Sequence, residues 1–329
     1  MTSEKPIAEL LRIDPHEETK RISTRLVELL RVMKRKGLVI GISGGIDSSV
    51  TLALAVQALG RDRVLALQMP ERHSAEETLH LSDLIADTFQ VERIHEDISQ
   101  PLEAVNFYQR YEEAVRQVIP EYDNSWKSKI VIPSVVDNPG YTVFSIIAQS
   151  PSGETVKKRL PLNAYLGIVA ATNFKQRIRK MFEYYHADRL NFAVAGTPNR
   201  LEYDQGFFVK LGDGAADIKP IAHLYKTQVY QLAEYLGIPE DIRRRPPTTD
   251  TYSLPQGQDE FYFSLSYDKM DICLYAKNHS IPIDAVAKEL ALSEEQVVRV
   301  FKDIDTKRST TGYLHLSPQL IAEVNEIHV

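Results

Sequence analysis

The 329-residue sequence contains only one cysteine, Cys273, and it lacks long apolar runs. A single thiol cannot form an intramolecular disulfide or a multi-cysteine zinc site. Because no stretch of 18 apolar residues occurs, we expect no transmembrane helix and no membrane partner. Residues 1–18 are polar and carry acids, which is typical of neither a signal peptide nor a transit peptide. We therefore expect a cytoplasmic protein.

The chain also has fewer basic than acidic residues. The chain has 39 Lys and Arg residues against 45 Asp and Glu residues, which gives a formal net charge of −6. A dedicated nucleic-acid binder usually has a basic surplus, so we expect no nucleic-acid partner. The short basic run at 243–245 is better explained as a solvated helix end. The nine histidines show no spacing typical of a metal site.

What the chain does contain is a glycine-rich loop at 41–49, which reads GISGGIDSS. An apolar run at 38–40 precedes it and an apolar segment at 50–59 follows it, so a strand, a tight turn and a helix are predicted. Gly44 and Gly45 lack Cβ atoms, and the turn can therefore take positive φ and direct several backbone N–H groups at one point. The serine hydroxyls and the positive end of the helix dipole favour the same ligand, a phosphate or pyrophosphate.

This loop differs from a Walker A loop. The pattern G-x-x-x-x-G-K-[ST] is absent, and no lysine follows the glycines. Asp47 occupies the place in this loop at which a Walker A loop has its phosphate-binding lysine. A carboxylate beside phosphates makes chemical sense chiefly when a metal ion lies between them, so the loop predicts a metal-assisted phosphate site.

Predicted strands alternate with predicted helices along the chain. We place strands near 38–40, 64–67, 91–95 and 192–195, and each ends in a polar loop. This pattern predicts an α/β fold with a doubly wound, Rossmann-like parallel sheet and ligands at the carboxyl ends of the strands. We expect one domain over residues 1–329 with a helical C-terminal extension at 281–329.

Residues 120–162 interrupt this alternation. Two β-rich runs, at 141–149 and 154–160, flank the turn sequence Pro151-Ser152-Gly153. Such a pair predicts a β-hairpin insertion, and we expect it to lie outside the parallel sheet.

The motif SGGxDS within the loop resembles the signature of the ATP pyrophosphatases, which cleave ATP between the α- and β-phosphates and adenylate a substrate. This signature alone does not choose among NAD synthetases, GMP synthetases, asparagine synthetases and tRNA-modifying enzymes. The segment at 196–217, GTPNRLEYDQGFFVKLGDGAAD, is more specific, and it resembles the NAD synthetase pattern GFFxKxGDGxxD. Together with LYKTQ at 224–228 and PTTD at 247–250, it makes residues 20–310 similar to the ammonia-dependent NAD synthetases, with an interruption at the hairpin.

This resemblance implies an activity. In the family, the carboxylate of nicotinic acid adenine dinucleotide attacks the α-phosphate of ATP, pyrophosphate leaves, and ammonia then displaces AMP. ATP as co-substrate, Mg²⁺ and a homodimer are implied with it. An AMP-forming amidase that acts on a different carboxylate stays open as an alternative. A regulatory protein without turnover is disfavoured because Asp47 and Glu202 are intact. A tRNA-modifying enzyme is disfavoured because neither a basic face nor extra cysteines are evident.

The resemblance also assigns roles to individual residues. It implies that the catalytic residues are Asp47, Lys210 and Lys226, and that Asp47 and Glu202 hold the magnesium. The positions expected to contact ATP are Gly41, Ile42, Ser43, Gly44, Gly45, Ile46, Asp47, Ser48, Thr197, Lys226 and Thr248. Those expected to bind the dinucleotide are Arg177, Lys210, Asp217 and Lys307. Two departures from the family pattern concern the acceptor: Leu254 stands where many relatives carry a basic residue, and Thr306 stands where they carry histidine.

The source of nitrogen can be inferred as well. Only residues 1–40 precede the phosphate loop, so we expect no N-terminal glutaminase domain. Cys273 lies in an apolar helical context, which favours a buried core residue over a thiol nucleophile. The expected donor is therefore free ammonia, or ammonia delivered by a separate protein.

Overall fold

The computed structural model describes residues 5–132, 136, 144–247, 251–257, 262–263 and 265–324. Its helices are α1 Ile7–Leu10, α2 Pro15–Met33, α3 Ile46–Leu59, α4 Glu76–Phe89, α5 Ser99–Ala104, α6 Phe107–Arg116, α7 Leu162–Leu190, α8 Arg200–Gln205, α9 Lys226–Tyr235, α10 Glu240–Arg244, α11 Tyr267–Asn278, α12 Ile283–Leu290 and α13 Glu294–Thr311. Its strands are β1 Leu38–Gly41, β2 Val64–Gln68, β3 Glu92–His95, β4 Lys127–Val131, β5 Ser145–Gln149, β6 Thr155–Arg159 and β7 Ala193–Ala195. None of the helices in these ranges is long and apolar enough to cross a membrane.

Four strands form the predicted parallel sheet, in the order β3-β2-β1-β7. Ile40 of β1 pairs with Ala66 of β2 on one side and with Ala195 of β7 on the other. The chain therefore leaves β1 in one direction for β2 and β3, and later returns to the opposite side for β7. Such a reversal is the topological switch point of an α/β sheet, where ligands bind beyond the carboxyl ends of the strands. The loops after β1 and β7 meet there.

The parallel sheet is covered on both faces, which explains why β1 is an unbroken apolar run. Because side chains alternate along a strand, Leu38 and Ile40 pack on one face, in a cluster with residues of α2, α3 and α9. Val39 packs on the other face, in a cluster with residues of α5, α6 and α7. Leu38, Val39 and Ile40 are all completely buried. This packing on both faces fixes the orientation of β1, and with it the position of the glycine loop that follows.

A second sheet lies apart from the first. It is antiparallel and has three strands in the order β4-β5-β6. The predicted hairpin corresponds to β5 and β6, although residues 141–143 at its start lie outside the described residues. Strand β4 was not predicted, and it pairs with β5 so that Ser128 faces Ala148 and Ile130 faces Ile146.

The antiparallel sheet has its own core. Ile130, Ile146 and Ala148 are fully buried, and they share a cluster with Val115 of α6 and Ile168 of α7. The first part of the 29-residue helix α7 thus packs on this sheet, and its later part packs on the parallel sheet. Helix α7 therefore packs against both sheets.

The C-terminal region is helical, as predicted. Helices α11, α12 and α13 enclose an apolar cluster to which Leu274, Val286 and Ile304 belong. Cys273 is completely buried in this cluster, in agreement with the prediction of a core residue.

Candidate active site

The glycine loop connects β1 to α3 at the switch point. Gly44 has φ +65°, and a Cβ atom on it would lie 2.6 Å from the Cβ of Leu81, so no other residue fits there without displacement. Gly45 has extended backbone and precedes the first residue of α3. The loop therefore presents backbone N–H groups beside the positive end of a helix, which is the arrangement that binds phosphate.

The serine and isoleucine side chains of this loop have structural partners. The Ser48 hydroxyl donates to the carbonyl oxygen of Gly45 at 3.0 Å, and the Ser49 hydroxyl donates to the same oxygen at 2.9 Å. Ile42 and Ile46 are buried in the core. Ser43 is exposed, so among these side chains it is the one that presents its hydroxyl to solvent. The predicted contact of the others with ATP would therefore go through their backbone.

Asp47, in the first turn of α3, is the meeting point of three elements. One of its oxygens accepts a hydrogen bond from the amide of Asn199 at 3.1 Å, and the other forms an ion pair with Lys226. Asn199 precedes α8 and Lys226 begins α9. The structure thus brings together two residues that are 179 positions apart in sequence, both of which the resemblance assigns to the ATP site.

Lys226 is almost completely buried, with 1% of its surface exposed. Burial by itself lowers the pKa of this ammonium group, but the carboxylates of Asp47 and Glu202 outweigh burial and raise the pKa above its ordinary value. The side chain therefore stays positively charged at neutral pH. A fixed cation beside a phosphate loop can stabilise the charge that develops when a phosphate bond breaks.

Glu202 lies close to the same group. Its carboxylate accepts a hydrogen bond from the backbone N–H of Asn199 at 3.1 Å, and Asn199 in turn caps α8. Among the described residues, no cluster of three or more His, Cys, Asp and Glu side chains could hold a metal ion. Mg²⁺, however, usually takes one or two carboxylates and completes its shell with phosphate oxygens and water, so the pair Asp47 and Glu202 fits this ion.

Two residues of this site were missed by the sequence analysis. Asn199 connects Asp47 to Glu202, and Asp271 of α11 accepts hydrogen bonds from the backbone N–H groups of Lys226 at 3.2 Å and of Thr227 at 2.6 Å. Asp271 is fully buried, and burial raises the pKa of its carboxyl group to about 7. It therefore holds the start of α9, and with it Lys226, in place.

A buried charged cluster lies on the other side of the glycine loop and was also missed. Lys180 and Glu183 of α7 form an ion pair at 2.6 Å, and a Cβ on Gly41 would lie 3.0 Å from a carboxylate oxygen of Glu183. Asp213 is part of this cluster, and burial raises the pKa of both Glu183 and Asp213. A side chain at position 41 would therefore require Glu183 and Met69 to shift by a few tenths of an ångström.

The residues predicted to bind the dinucleotide lie on different elements. Arg177 of α7 donates to the backbone carbonyl of Lys210 at 3.4 Å, so these two lie together. Lys210 also donates to the carbonyls of Tyr313 and Leu316, at 2.7 and 3.1 Å. Asp217 accepts from the backbone N–H of Val194 at 2.8 Å, which places it beside the middle of β7.

Lys307 lies apart from these residues, on α13. Its ammonium group pairs with Asp303 and donates to the carbonyl of Tyr262, both at 2.6 Å, and burial lowers its pKa. Thr197 follows β7 at the switch point, half-buried. Thr248, predicted to contact ATP, lies outside the described residues.

Comparison with known proteins agrees with this geometry. A model of the NAD synthase family matches residues 18–125 and 146–310, so β4 falls in the part that it skips. The curated NH(3)-dependent NAD(+) synthetase of Rhizobium meliloti (strain 1021) is 58% identical over 320 residues, which covers 97% of this chain and 96% of that protein.

Solved structures give the same fold at low identity. NMN synthetase from Francisella tularensis superposes with a TM-score of 0.64 at 21% identity, covering 94% of this chain and 100% of that chain. NH3-dependent NAD synthetase from Campylobacter jejuni subsp. jejuni superposes with a TM-score of 0.61, also at 21% identity, and covers 94% and 100%. At this identity the likeness confirms the α/β fold alone.

Proposed function

Because the chain belongs to the NAD synthase family, we propose that its site amidates nicotinic acid adenine dinucleotide to NAD with ammonia, at the expense of ATP. The observation that carries this conclusion is the 58% identity, over nearly the full length, with a curated NH(3)-dependent NAD(+) synthetase. The protein is thus an ammonia-dependent ligase. The alternative of a different carboxylate acceptor has no support among the curated relatives of 54–58% identity.

The first half-reaction is adenylation. A carboxylate oxygen of the dinucleotide forms a bond to the α-phosphorus of ATP, and the bond between that phosphorus and the bridging oxygen breaks, so that pyrophosphate leaves. The N–H groups around Gly44 and the start of α3 hold the phosphates. Lys226 is fixed by Asp47 and Asp271, and it offers a charged ammonium group to the oxygens on which negative charge accumulates.

Asp47 and Glu202 would hold Mg²⁺ in this site. When bound, the ion would neutralise charge on the phosphate oxygens. Asn199 contributes by orientation, because it bonds both carboxylates and thereby keeps them directed at the same side of the glycine loop.

The second half-reaction is acyl transfer to nitrogen. Ammonia attacks the carbonyl carbon of the acyl-adenylate, the bond to the AMP oxygen breaks, and one proton is released as the amide forms. Arg177, Lys210, Asp217 and Lys307 are proposed to bind the dinucleotide. The Arg177 side chain donates to the backbone carbonyl of Lys210, and both side chains are cationic, which suits a ligand with two phosphates and supports the assignment.

A homodimer in the cytoplasm is part of the same proposal. Helix α7 exposes the apolar side chains Leu162, Leu166, Met181 and Tyr185, each with more than half of its surface in solvent. The spacing of four residues within each pair places its members on the same side of the helix, where a second copy could cover them. Sedimentation of the purified protein tests this: a monomer at micromolar concentration would rule the dimer out.

The proposed function is tested by assay of the purified protein with ATP, Mg²⁺ and nicotinic acid adenine dinucleotide, with ammonium or glutamine as nitrogen source. We expect NAD from ammonium, one AMP for each NAD, and only background with glutamine. The Cys273→Ala variant should keep its rate, because Cys273 is buried and burial raises the pKa of its thiol to about 12. Release of ADP, or preferential use of nicotinic acid mononucleotide as the acid, would contradict the proposal.

A further inference from the structure

Lys219 is a half-buried lysine without a carboxylate partner. Among the residues that the structure describes, none forms a hydrogen bond or an ion pair with its ammonium group. The buried lysines Lys175, Lys180 and Lys226, by contrast, each form an ion pair with a carboxylate. Withdrawing a cation from water without such a partner costs free energy, and groups of this kind are concentrated where a ligand supplies the missing charge. Lys219 therefore indicates a site for an anion.

Two aromatic rings orient the ammonium group of Lys219. It lies 4.8 Å from the centre of the Tyr203 ring and 5.4 Å from the centre of the Phe208 ring, and these two rings are called the ring pair below. The faces of aromatic rings attract a cation without neutralising it. Burial and the charge of Lys180 lower the pKa of Lys219, and Asp213 opposes them in part. An anion bound here would therefore stabilise a charge that the ring pair holds in place but does not cancel.

The turn at 312–316 brings Lys219 close to residues that are proposed to bind the dinucleotide. The ring of His315 packs edge-on against both members of the ring pair, at 4.8 and 5.2 Å between ring centres, and burial and the charge of Lys219 lower its pKa. Two backbone carbonyls of the same turn accept from the ammonium group of Lys210. Together with Arg177, which donates to the backbone of Lys210, these residues give three cations. The acid dinucleotide carries three anionic groups, two phosphates and one carboxylate.

The stem of Lys219 lies on the ATP side of this group. A Cβ on Gly196 would lie 3.2 Å from the Cγ of Lys219, so the stem packs on the first residue after β7, at the switch point. Gly196 directly precedes Thr197, which is expected to contact ATP. Tyr203 of the ring pair directly follows Glu202, which would hold Mg²⁺. Because the carboxylate is the part of the dinucleotide that must reach the α-phosphate of ATP, it is the anionic group that best matches Lys219.

We propose that Lys219 binds the carboxylate of the acid dinucleotide and so distinguishes this substrate from NAD, its amide product. The inference rests on the proposed function, because it takes the acid dinucleotide as the substrate. The physical reason is charge. The acid and the amide differ only at this group, and the hydrogen bond from an ammonium group to a carboxylate is much stronger than that to a neutral amide.

The test compares Lys219→Met with the unaltered enzyme. Methionine keeps an unbranched side chain against the ring pair and removes the charge. A hydrogen bond between charged groups changes an equilibrium by roughly ten- to hundredfold, so the calorimetric Kd for the acid dinucleotide, measured without ATP to prevent turnover, should rise about tenfold or more. The Kd values for NAD and for ATP should each change by less than about threefold, because neither ligand carries this carboxylate.

Steady-state kinetics give a second readout. The KM for the acid dinucleotide should rise in parallel with its Kd, whereas kcat should stay within about threefold. The reason is that the carboxylate loses negative charge as it attacks phosphorus, so its contact with a cation is at least as strong in the ground state as in the transition state.

Matched variants separate the loss of this contact from general damage. Lys20→Met removes the same charge from an exposed position on α2, and it should leave every readout unchanged. Lys219→Arg keeps a cation over the ring pair, so it should keep most of the preference for the acid over NAD. If Lys219→Met fails to fold, Lys219→Gln removes the charge with a polar side chain, and it should raise the Kd for the acid dinucleotide by a similar factor.

The outcomes that overturn the role of Lys219 differ from those that overturn the proposed function. An unchanged Kd for the acid dinucleotide in Lys219→Met would refute the role, and so would an equal loss for the acid and for NAD, which would assign Lys219 to a phosphate instead. A loss confined to kcat would refute it as well. Failure of the unaltered enzyme to form NAD, while Lys219→Met selectively loses affinity for the acid dinucleotide, would refute the proposed reaction and leave the carboxylate contact standing.

Discussion

The two sheets of this protein differ in what they hold. The parallel sheet delivers charged side chains: Asp47, Glu202 and Lys226 converge beyond the carboxyl ends of β1 and β7. The antiparallel sheet binds residues 253–256 along β4, through one backbone–backbone hydrogen bond and several that involve a side chain. The comparison teaches that changes near the parallel sheet should affect the chemical step, whereas changes in the hairpin turn of the antiparallel sheet should leave the rate unchanged.

The largest effect is expected from Asp47→Asn. Asparagine keeps the shape and can still accept from Asn199, but it removes the charge that pairs with Lys226 and that would hold Mg²⁺. We expect kcat to fall by about a thousandfold or more, while the protein still folds, although the loss of the ion-pair partner of buried Lys226 lowers its stability. The measurement is kcat at saturating ATP together with circular dichroism.

Asp62→Asn is the matched control, because the Asp62 side chain is 95% exposed and lies away from the glycine loop. It should keep the normal rate. A near-normal rate for Asp47→Asn at ordinary magnesium concentration would mean that Asp47 only stabilises the first turn of α3. The proposed difference between the two sheets would then be wrong.

Two glycine variants, one beside each sheet, should give effects of intermediate size on the free energy of unfolding. Both Gly44 in the phosphate loop and Gly153 in the hairpin turn have positive φ, but a Cβ on Gly44 would overlap Leu81 while nothing lies within 4 Å of one on Gly153. We expect Gly44→Ala to lower the free energy of unfolding by about 3 kcal/mol, as strain and overpacking add. Gly153→Ala should cost about 1 kcal/mol, from strain alone.

Denaturant unfolding of both glycine variants measures these losses, and the NAD-forming assay accompanies it. Gly153→Ala should keep full activity, since the turn makes no contact with the glycine loop. Equal losses of stability would show that packing against Leu81 adds nothing at Gly44.

Much of the fold could be predicted because a strand that is buried on both faces of a sheet has an almost continuous apolar sequence. Strands β1 and β7 are apolar throughout, β2 is apolar from Val64 to Leu67, and the glycine loop between β1 and α3 is specified by local residues. Strand β4 could not be found in this way. In β4, Lys127 and Lys129 alternate with buried positions, and the pairing with β5 is not local.

The site residues that belong to a local sequence motif could be predicted. Those that reach the site only through the packing of distant elements could not. Asn199 left a signal that could have been used, since Asn followed three residues later by Glu is a capping box. Asp271 left little: it is one of two carboxylates in α11, and its contact with Lys226 depends on how α11 packs against α9. The hydrogen bond from the N–H of Ser128 to the hydroxyl of Ser253 spans 125 positions, and no local pattern encodes such a contact.

The central claim is that the carboxylate of nicotinic acid adenine dinucleotide is activated by adenylation at the Asp47–Lys226 site. Labelling that carboxylate with ¹⁸O and analysing the AMP by mass spectrometry tests it most directly. If an acyl-adenylate forms, one labelled oxygen must pass from the acid to the phosphate of AMP, and one must stay in the amide of NAD. AMP free of label, or label in pyrophosphate, would contradict the account.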